Sequence, residues 1–427
     1  VARSVESLLG FEAQPAWASM EAARMTRMRF IDGHCDTILK ICAGGDFLGG
    51  ASDERQEATV DGHAAAREAH RTAGGTDLHV TLPGMLAAGV AAQVFAVFTG
   101  GGPPTTGGGA SAPGSSSGRD AGPAMGQSGS AGGDGHCERA TLLLEEIDAL
   151  CRRHEKHLAK AGDWRAVAAA LGEEDRIAVI PGIEGALPLE GDAGRLKDFY
   201  DLGVRVLTIA WGDSKFCGAV FGTGGGLTRA GSELVEFCNE LGVVVDVSHV
   251  SDEAFFDVCA AANAPFIASH SNCRRLSPFR RNLTDEMIRT LAQAGGVMGI
   301  NLGSSFLSQE FYAREKESMD EFFRAVNSGE RTFEEAVAAS HRVNDAIPRP
   351  PLTLVAAHVK HAIRVGGEDC VGLGGDLDGV ESLPVGLEGV ADYPKIARLL
   401  AEAGLSERQV EKVCYGNFSR VFREVLG

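Results

Sequence analysis

The sequence predicts a (β/α)₈ TIM-like barrel with a binuclear metal site at its C-terminal face, and three observations carry that prediction. Eight short runs rich in Val, Ile and Phe alternate with helical segments. That is the pattern of a parallel sheet with crossover helices, and eight strands close a barrel. Histidines and carboxylates follow several of these runs directly, at the end of the strands where barrel enzymes keep their active sites. The first run leads into His34-Cys35-Asp36, whereas a doubly wound open sheet, the competing architecture, would normally carry a glycine-rich phosphate turn there.

The predicted strands are 29–33, 90–98, 177–183, 204–210, 243–248, 266–269, 297–301 and 371–375. Helical patterns lie at 138–161, 231–241, 285–294 and 354–365, and Thr284-Asp285-Glu286 reads as a helix start with acidic residues in its first turn. Residues 1–28 read as an N-terminal extension and 29–427 as one barrel. Within the barrel, residues 100–135 are almost all Gly, Ser, Ala, Pro and Thr. Such a stretch has too little apolar area to order itself, so it reads as a surface insertion, with a mobile lid as the other reading.

A net charge of −18 leaves no basic footprint for nucleic acid, and an anionic membrane would repel the chain. No apolar run reaches the ~18 residues of a membrane span. The opening VARSVESLLGFEAQPAW lacks both an initiator Met and the layout of a signal peptide. The ten cysteines are scattered, with no C-x-x-C pair, which suits buried thiols in a reducing, cytoplasmic setting. No Gly-x-Ser-x-Gly elbow is present, and the Gly-rich loop at 222–226 lacks the Lys-Ser/Thr of a P-loop.

The chemistry lies at the strand ends. Strand 1 ends in His34 and Asp36, strand 3 in Glu184, strand 5 in His249, strand 6 in His270 and strand 8 in Asp376. Side chains alternate along a strand, so His34 and Asp36 share a face and can grip one ion, while Cys35 points away and packs. Imidazole and carboxylate ligands suit zinc. Six such groups are too many for one tetrahedral ion, and two ions sharing a carboxylate use them all. Any one of these residues alone is more often structural; the set on one rim is the signal. Other candidates lack strand-end placement: His63, His70 and His79 lie in a polar segment, and His358 and His361 lie on a helix outside the barrel and read as structural or solvated. Asp378 falls past the strand end, and Asp246 sits on the face opposite His249 as a structural acceptor.

The stretches DGHCDT, PGIEG, VDVSHVSDEAFFDV, IASHSNCR, RRNLTDEMIR, GGVMGIN and VGLGGDLDGV resemble the membrane (renal) dipeptidase family of the amidohydrolase superfamily. The similarity runs from about Arg29 to the C-terminus. By that resemblance His34 and Asp36 bind one zinc, Glu184 bridges two, and His249 and His270 bind the second. Arg281 holds the substrate's terminal carboxylate, and Asp376 handles the proton and contacts the free amine. The implied reaction is attack of a zinc-bridging hydroxide on a dipeptide, with a D-residue often tolerated at the C-terminal position. Alternatives are an N-acyl-D-amino-acid deacylase and a non-hydrolytic decarboxylase or binding protein on the same barrel. Trp211 stands where many members place a histidine at the scissile carbonyl, and it offers one N–H donor and no titratable nitrogen. Gly303 stands where the mammalian branch has a substrate-facing tyrosine. The expected partner is a small dipeptide-like substrate, without nucleic acid or membrane; a homodimer stays open.

Overall fold

The computed structural model describes residues 28–49, 78–100, 135–222, 224–327, 330, 331, 335, 339 and 346–427. The extension before Met28, most of the 100–135 insertion, His63 and His70 lie outside the described residues.

Nine parallel strands are present among the described residues: β1 (Phe30–Cys35), β2 (Val90–Phe98), β3 (Leu158–Lys160), β4 (Ile177–Glu184), β5 (Val206–Thr208), β6 (Val244–Asp246), β7 (Ile267–Ala268), β8 (Val297–Ile300) and β9 (Val371–Leu373). Eight of them close a barrel in the order β2-β1-β9-β8-β7-β6-β5-β4, with β2 paired back to β4. All eight correspond to predicted strands. The ninth, β3, is a correction. The helix expected over 138–161 stops at Arg153, and Leu158–Lys160 pair with Ile177–Val179 on the first half of β4. Leu-Ala-Lys has no β-branched residue, so only the tertiary pairing makes it a strand.

Helices between the strands start where side chains can satisfy the first free N–H groups. Thr228 caps Arg229–Leu241, Ser251 caps Asp252–Ala261, and Thr284 caps Asp285–Gln293, each side-chain oxygen accepting from the N–H three residues on. The expected helix start at Thr284 is therefore present.

Two apolar layers follow from the alternation of the strands. An inner cluster contains Ile31, Ala92, Val94, Ala178, Ile180, Val206, Val244, Ile267 and Val297. The residues of opposite parity, such as Phe30, Phe95, Val97, Val179 and Val245, pack outward against the helices. The barrel floor is closed by the helix Asn417–Leu426, whose Phe418, Val421 and Phe422 join the inner cluster. Phe418 reaches so far in that a Cβ on Gly33 or Gly372 would lie 2.6 Å from its ring. Glycine at both positions is what admits the plug.

Candidate metal centre

Regular alternation would not build the mouth of this barrel. In β1, Ile31 and Gly33 face inward, so an unbroken strand would turn His34 outward. The pairing instead steps from Asp32–Gln93 to Cys35–Phe95, three residues against two. This bulge lets His34 follow Gly33 into the interior while Cys35 packs outward, its thiol pKa driven well above the ordinary value by burial. His249 and Asp376 lie just past β6 and β9 with φ of +73° and +54°. Such left-handed backbone is uncommon for non-glycine residues and concentrates at functional sites. It also corrects the parity argument for Asp246: His249 is outside the strand, so counting residues does not place the two on opposite faces.

The predicted ligands converge on one carboxylate oxygen. Glu184 Oε1 lies 2.8 Å from His249 Nε2, 3.6 Å from His270 Nε2 and 3.7 Å from His34 Nε2. His34 Nε2 is 3.6 Å from Asp36 Oδ2, and the two imidazoles His249 and His270 bring their Nε2 atoms to 3.0 Å. Two ligand atoms on one tetrahedral zinc sit about 3.3 Å apart, given bonds of ~2.0–2.1 Å, so these separations fit shared ions. Donor-atom proximity groups His34, Glu184 and His270 in one set and His34, Asp36 and Asp376 in another. Asp376 thus lies closer to ligand distance than a purely catalytic group needs.

The chemistry of the donor set fits a cation. Buried His34 Nε2 and Asp36 Oδ1 make no hydrogen bond, a costly condition for buried polar atoms. A Cβ on Gly379 would overlap Asp36 Oδ2 and Asp376 Oδ1, so the backbone there must lack a side chain. Burial pushes the Glu184 carboxyl well above its usual range, and nearby Asp36 adds to that. Burial likewise raises Asp376, to about 7, with His34 opposing and Asp36 reinforcing. Burial alone would lower His34, yet Glu184, Asp36 and Asp376 outweigh it and hold the imidazole near 10. His249 and His270 are lowered far below the ordinary histidine value by burial, which keeps them in the neutral form a metal needs.

Residues outside the predicted ligand set hold these groups in place: Asp32, Ser269 and Asn301, which the sequence did not single out, and Asp246, expected as a structural acceptor. Asp32 Oδ1 accepts from the N–H groups of His34 and Gly375, and its other oxygen accepts from Tyr393. Asp246 repeats the arrangement, accepting from the N–H groups of Ser248 and Ser269 and from the hydroxyls of Thr208 and Ser269. Each carboxylate ties a turn two residues on to the neighbouring strand, a local pattern readable in principle as an Asx turn. Ser269 Oγ then meets His270 Nδ1 at 2.8 Å. The chain Asp246–Ser269–His270 leaves the Nε2 of His270 facing the site, the usual second partner of a ligating histidine. Asn301 Nδ2 donates to Asp376 Oδ2 at 2.7 Å.

Arg281 sits on the loop after β7. Asn282 pins that loop by donating to the carbonyls of Ser277 and Phe306 and accepting from Asn272 N–H. Arg281 is 4% exposed and its Nη2 has no protein partner. Burial lowers its pKa to about 10, opposed by Asp376 and Glu184, so the guanidinium stays charged at neutral pH. It shares a pocket of about 170 Å³ with Trp211, His249 and Asp376. Trp211 packs against Phe98 with ring centroids 4.7 Å apart and planes tilted by 50°, and lies 6.1 Å from the His249 ring.

The set-aside residues among those described make structural contacts. Asp378 accepts from Thr37, His79 N–H and Val80 N–H, and His79 Nδ1 accepts from Asp378 N–H. His358 and His361 are buried, not solvated. His358 accepts from Cys273 N–H and faces the Leu307 carbonyl, and His361 meets Asp285 at 2.6 Å, an acid partner distant in sequence. The insertion's flanks are clasped: His136 Nδ1 lies 3.1 Å from the Thr99 carbonyl.

The sequence profile of the membrane dipeptidase family, peptidase family M19, matches residues 20–426. An uncharacterized protein in the pqqA 5′ region of Klebsiella pneumoniae is 33% identical over 261 residues, covering 59% of this chain and 84% of that relative. Dipeptidase 3 of Mus musculus is 29% identical over 296 residues, 66% of this chain. The chain spans about half the length of that relative, 51%. Among solved structures, a metallo peptidase from Rhodobacter sphaeroides liganded with a phosphinate mimic of the dipeptide L-Ala-D-Ala is similar, with a TM-score of 0.69, 23% identity, and coverage of 93% of this chain and 99% of that one. At that identity the likeness establishes the barrel fold. No helix among the described residues is long and apolar enough to cross a membrane.

Proposed function

The chain belongs to the membrane dipeptidase family, peptidase family M19, and from that premise we propose that it is a zinc-dependent dipeptidase acting on dipeptides, including those with a C-terminal D-residue. The observation that carries the reading is the convergence of His34, His249 and His270 on Glu184 Oε1, with His249 lining the same pocket as a buried Arg281 whose Nη2 has no hydrogen-bond partner.

In this reading His34 and Asp36 hold one Zn²⁺, His249 and His270 hold the other, and Glu184 is shared. When bound, the two ions polarise the scissile carbonyl and activate the attacking water. Arg281 orients the substrate by pairing its free carboxylate through two parallel N–H bonds. Asp376, fixed by Asn301, takes the proton from the nucleophile and delivers it to the leaving nitrogen. It also pairs the substrate's free amine, a role that an N-acyl substrate would leave unused. Trp211 lines the carbonyl side of the pocket and has one N–H to offer a developing oxyanion. The D-residue draws support from the L-Ala-D-Ala mimic named for the Rhodobacter sphaeroides relative.

The test is a panel on zinc-supplied protein: free dipeptides of both stereochemistries, their C-terminal amides, and N-acyl-D-amino acids, with zinc counted by elemental analysis. Cleavage of the free dipeptides with up to two zinc ions per chain is expected. Turnover of the N-acyl compounds alone would transfer the assignment to a deacylase, and full activity without metal would end it.

A further inference from the structure

The pocket around Arg281 has an unequal wall. Its lining side chains include Trp211, Phe221, Phe279, Phe306 and Val380, against three polar groups, His249, Arg281 and Asp376. Three of the four lining rings, Phe221, Phe279 and Phe306, form one packed unit beside Arg281, and Trp211 lies apart from it against Phe98 and His249. The Arg281 guanidinium lies 5.6 Å from the Phe306 ring, Phe306 meets Phe279 edge-on at 4.5 Å, and Phe279 meets Phe221 at 5.9 Å. Arg280, the other cation nearby, is exposed, lies 6.0 Å from the Phe221 ring and is not part of the lining.

We infer that this wall is the binding site for the side chain of the substrate's C-terminal residue, and that it selects large apolar or aromatic residues there. The inference rests on the dipeptidase reading, which places the terminal carboxylate on Arg281. A side chain one bond from that carboxylate's α-carbon lies among the groups that surround Arg281; of these, Asp376 and His249 are assigned by the same reading to the substrate's amine and the metal, which leaves the Phe306, Phe279 and Phe221 rings to meet it. A carboxylate or ammonium in that position would lose water without gaining a partner of opposite charge. Gly303 gives the wall its particular shape. A Cβ there would lie 2.8 Å from Val380 Cγ1 and 3.2 Å from Phe306 Cδ2. Phe306 and Val380 thus crowd the space that a side chain at 303 would need, and the substrate meets rings and methyls without a hydroxyl.

Two measurements on zinc-loaded protein test this together. Turnover of Ala-X dipeptides, with X = Phe, Leu, Ala, Glu and Lys, gives kcat/KM. Calorimetric binding of the free amino acids X, as products, gives a ranking that does not depend on turnover. Phe and Leu should exceed Ala by about 10- to 100-fold in both series, the worth of burying one large apolar side chain, with Glu and Lys weakest. Phe306→Ala should shrink the Phe advantage about tenfold, and Phe306→Leu should keep most of it, which separates loss of the wall from loss of folding. A flat ranking, or a preference for Glu or Lys, overturns the inference while leaving any dipeptide cleavage intact. If no dipeptide is cleaved but the amino-acid ranking holds, the dipeptidase reading falls and the apolar subsite stands.

Discussion

The two ends of this barrel obey opposite rules. At the floor, Ile31, Val94, Ile180, Val206 and Val297 turn apolar side chains inward and close on Phe418 and Phe422, and the one irregularity in β1 there, from Phe30–Val90 to Ile31–Ala92, carries no polar group inward. At the mouth, Glu184 keeps the inward parity of Ala178 and Ile180, but elsewhere alternation is broken: a bulge turns His34 inward, and left-handed backbone aims His249 and Asp376. The floor buries apolar atoms that need no partners. The mouth gathers three carboxylates, three imidazoles and a guanidinium, and leaves some of their atoms unpaired. Stability and function are thus segregated along the barrel axis, as is general for this architecture.

That segregation can be broken at either end. Asp376→Asn keeps the shape but accepts no proton, so kcat should fall by ~10²–10⁴-fold, with zinc content largely retained and unfolding little changed. Because Asp376 lies within ligand range of His34 and Asp36, kcat and zinc must be measured on the same sample; parallel loss of both would make it a ligand. Phe418→Ala is the mirror experiment. It should cost about 3–5 kcal/mol of stability, as for other buried Phe truncations, while the protein that remains folded keeps its kcat. A fall in kcat at full folding would show that floor and mouth are coupled.

Acid sharpens the contrast, because the mouth's supports titrate and the floor's do not. Burial holds His358 at about 4, below its ordinary 6.5, despite its hydrogen bond to the Leu307 carbonyl. Above pH 6.5 the histidine is neutral in both states and its contribution is complete. As pH falls from 6.5 toward 4, the unfolded chain takes up a proton that the folded chain refuses. Stability should drop by about 3 kcal/mol across that window. His358→Gln should flatten this part of the profile in chemical denaturation; an unchanged slope would assign the acid sensitivity elsewhere. A smaller effect is expected at Ser269→Ala, which cuts the Asp246–His270 connection. Zinc affinity should weaken about 10- to 100-fold, read by chelator competition, with the metal-free protein unfolding almost as before. The smallest is at the clasp between Thr99 and His136. Replacing residues 101–134 by a short linker should change unfolding free energy by no more than about 1–2 kcal/mol, since loop closure depends weakly on length.

The sequence made the floor's strands and most of the imidazoles and carboxylates gathered at the mouth legible for the same reason. Val/Ile runs mark strands, and a residue just past a barrel strand belongs to the mouth. What stayed hidden depends on contacts between distant positions. Asp32 is tied by its own local turn to His34, but its contacts to Gly375 and Tyr393 arrive from the far end of the chain. The plug at Phe418 is visible only once Gly33 and Gly372 are seen against its ring. The bulge in β1 defeats parity: the right conclusion about His34 and Cys35 came from a rule that the local backbone breaks. The strand at Leu158 and the acid partner of His361 are also tertiary facts without a local signature.

The floor plug also sets an order of events. A ribosome completes every strand, and thus every inward-facing Ile31, Val94 or Val206, before it reaches Phe418. Barrel closure itself waits for β9, which must find β1 across most of the chain, a non-local pairing of the slow kind. Throughout that interval the underside of the nascent barrel presents uncovered aliphatic surface to the cell. Chaperone demand during translation should therefore be set by the last helix, and slow codons placed just ahead of it would lengthen the exposure.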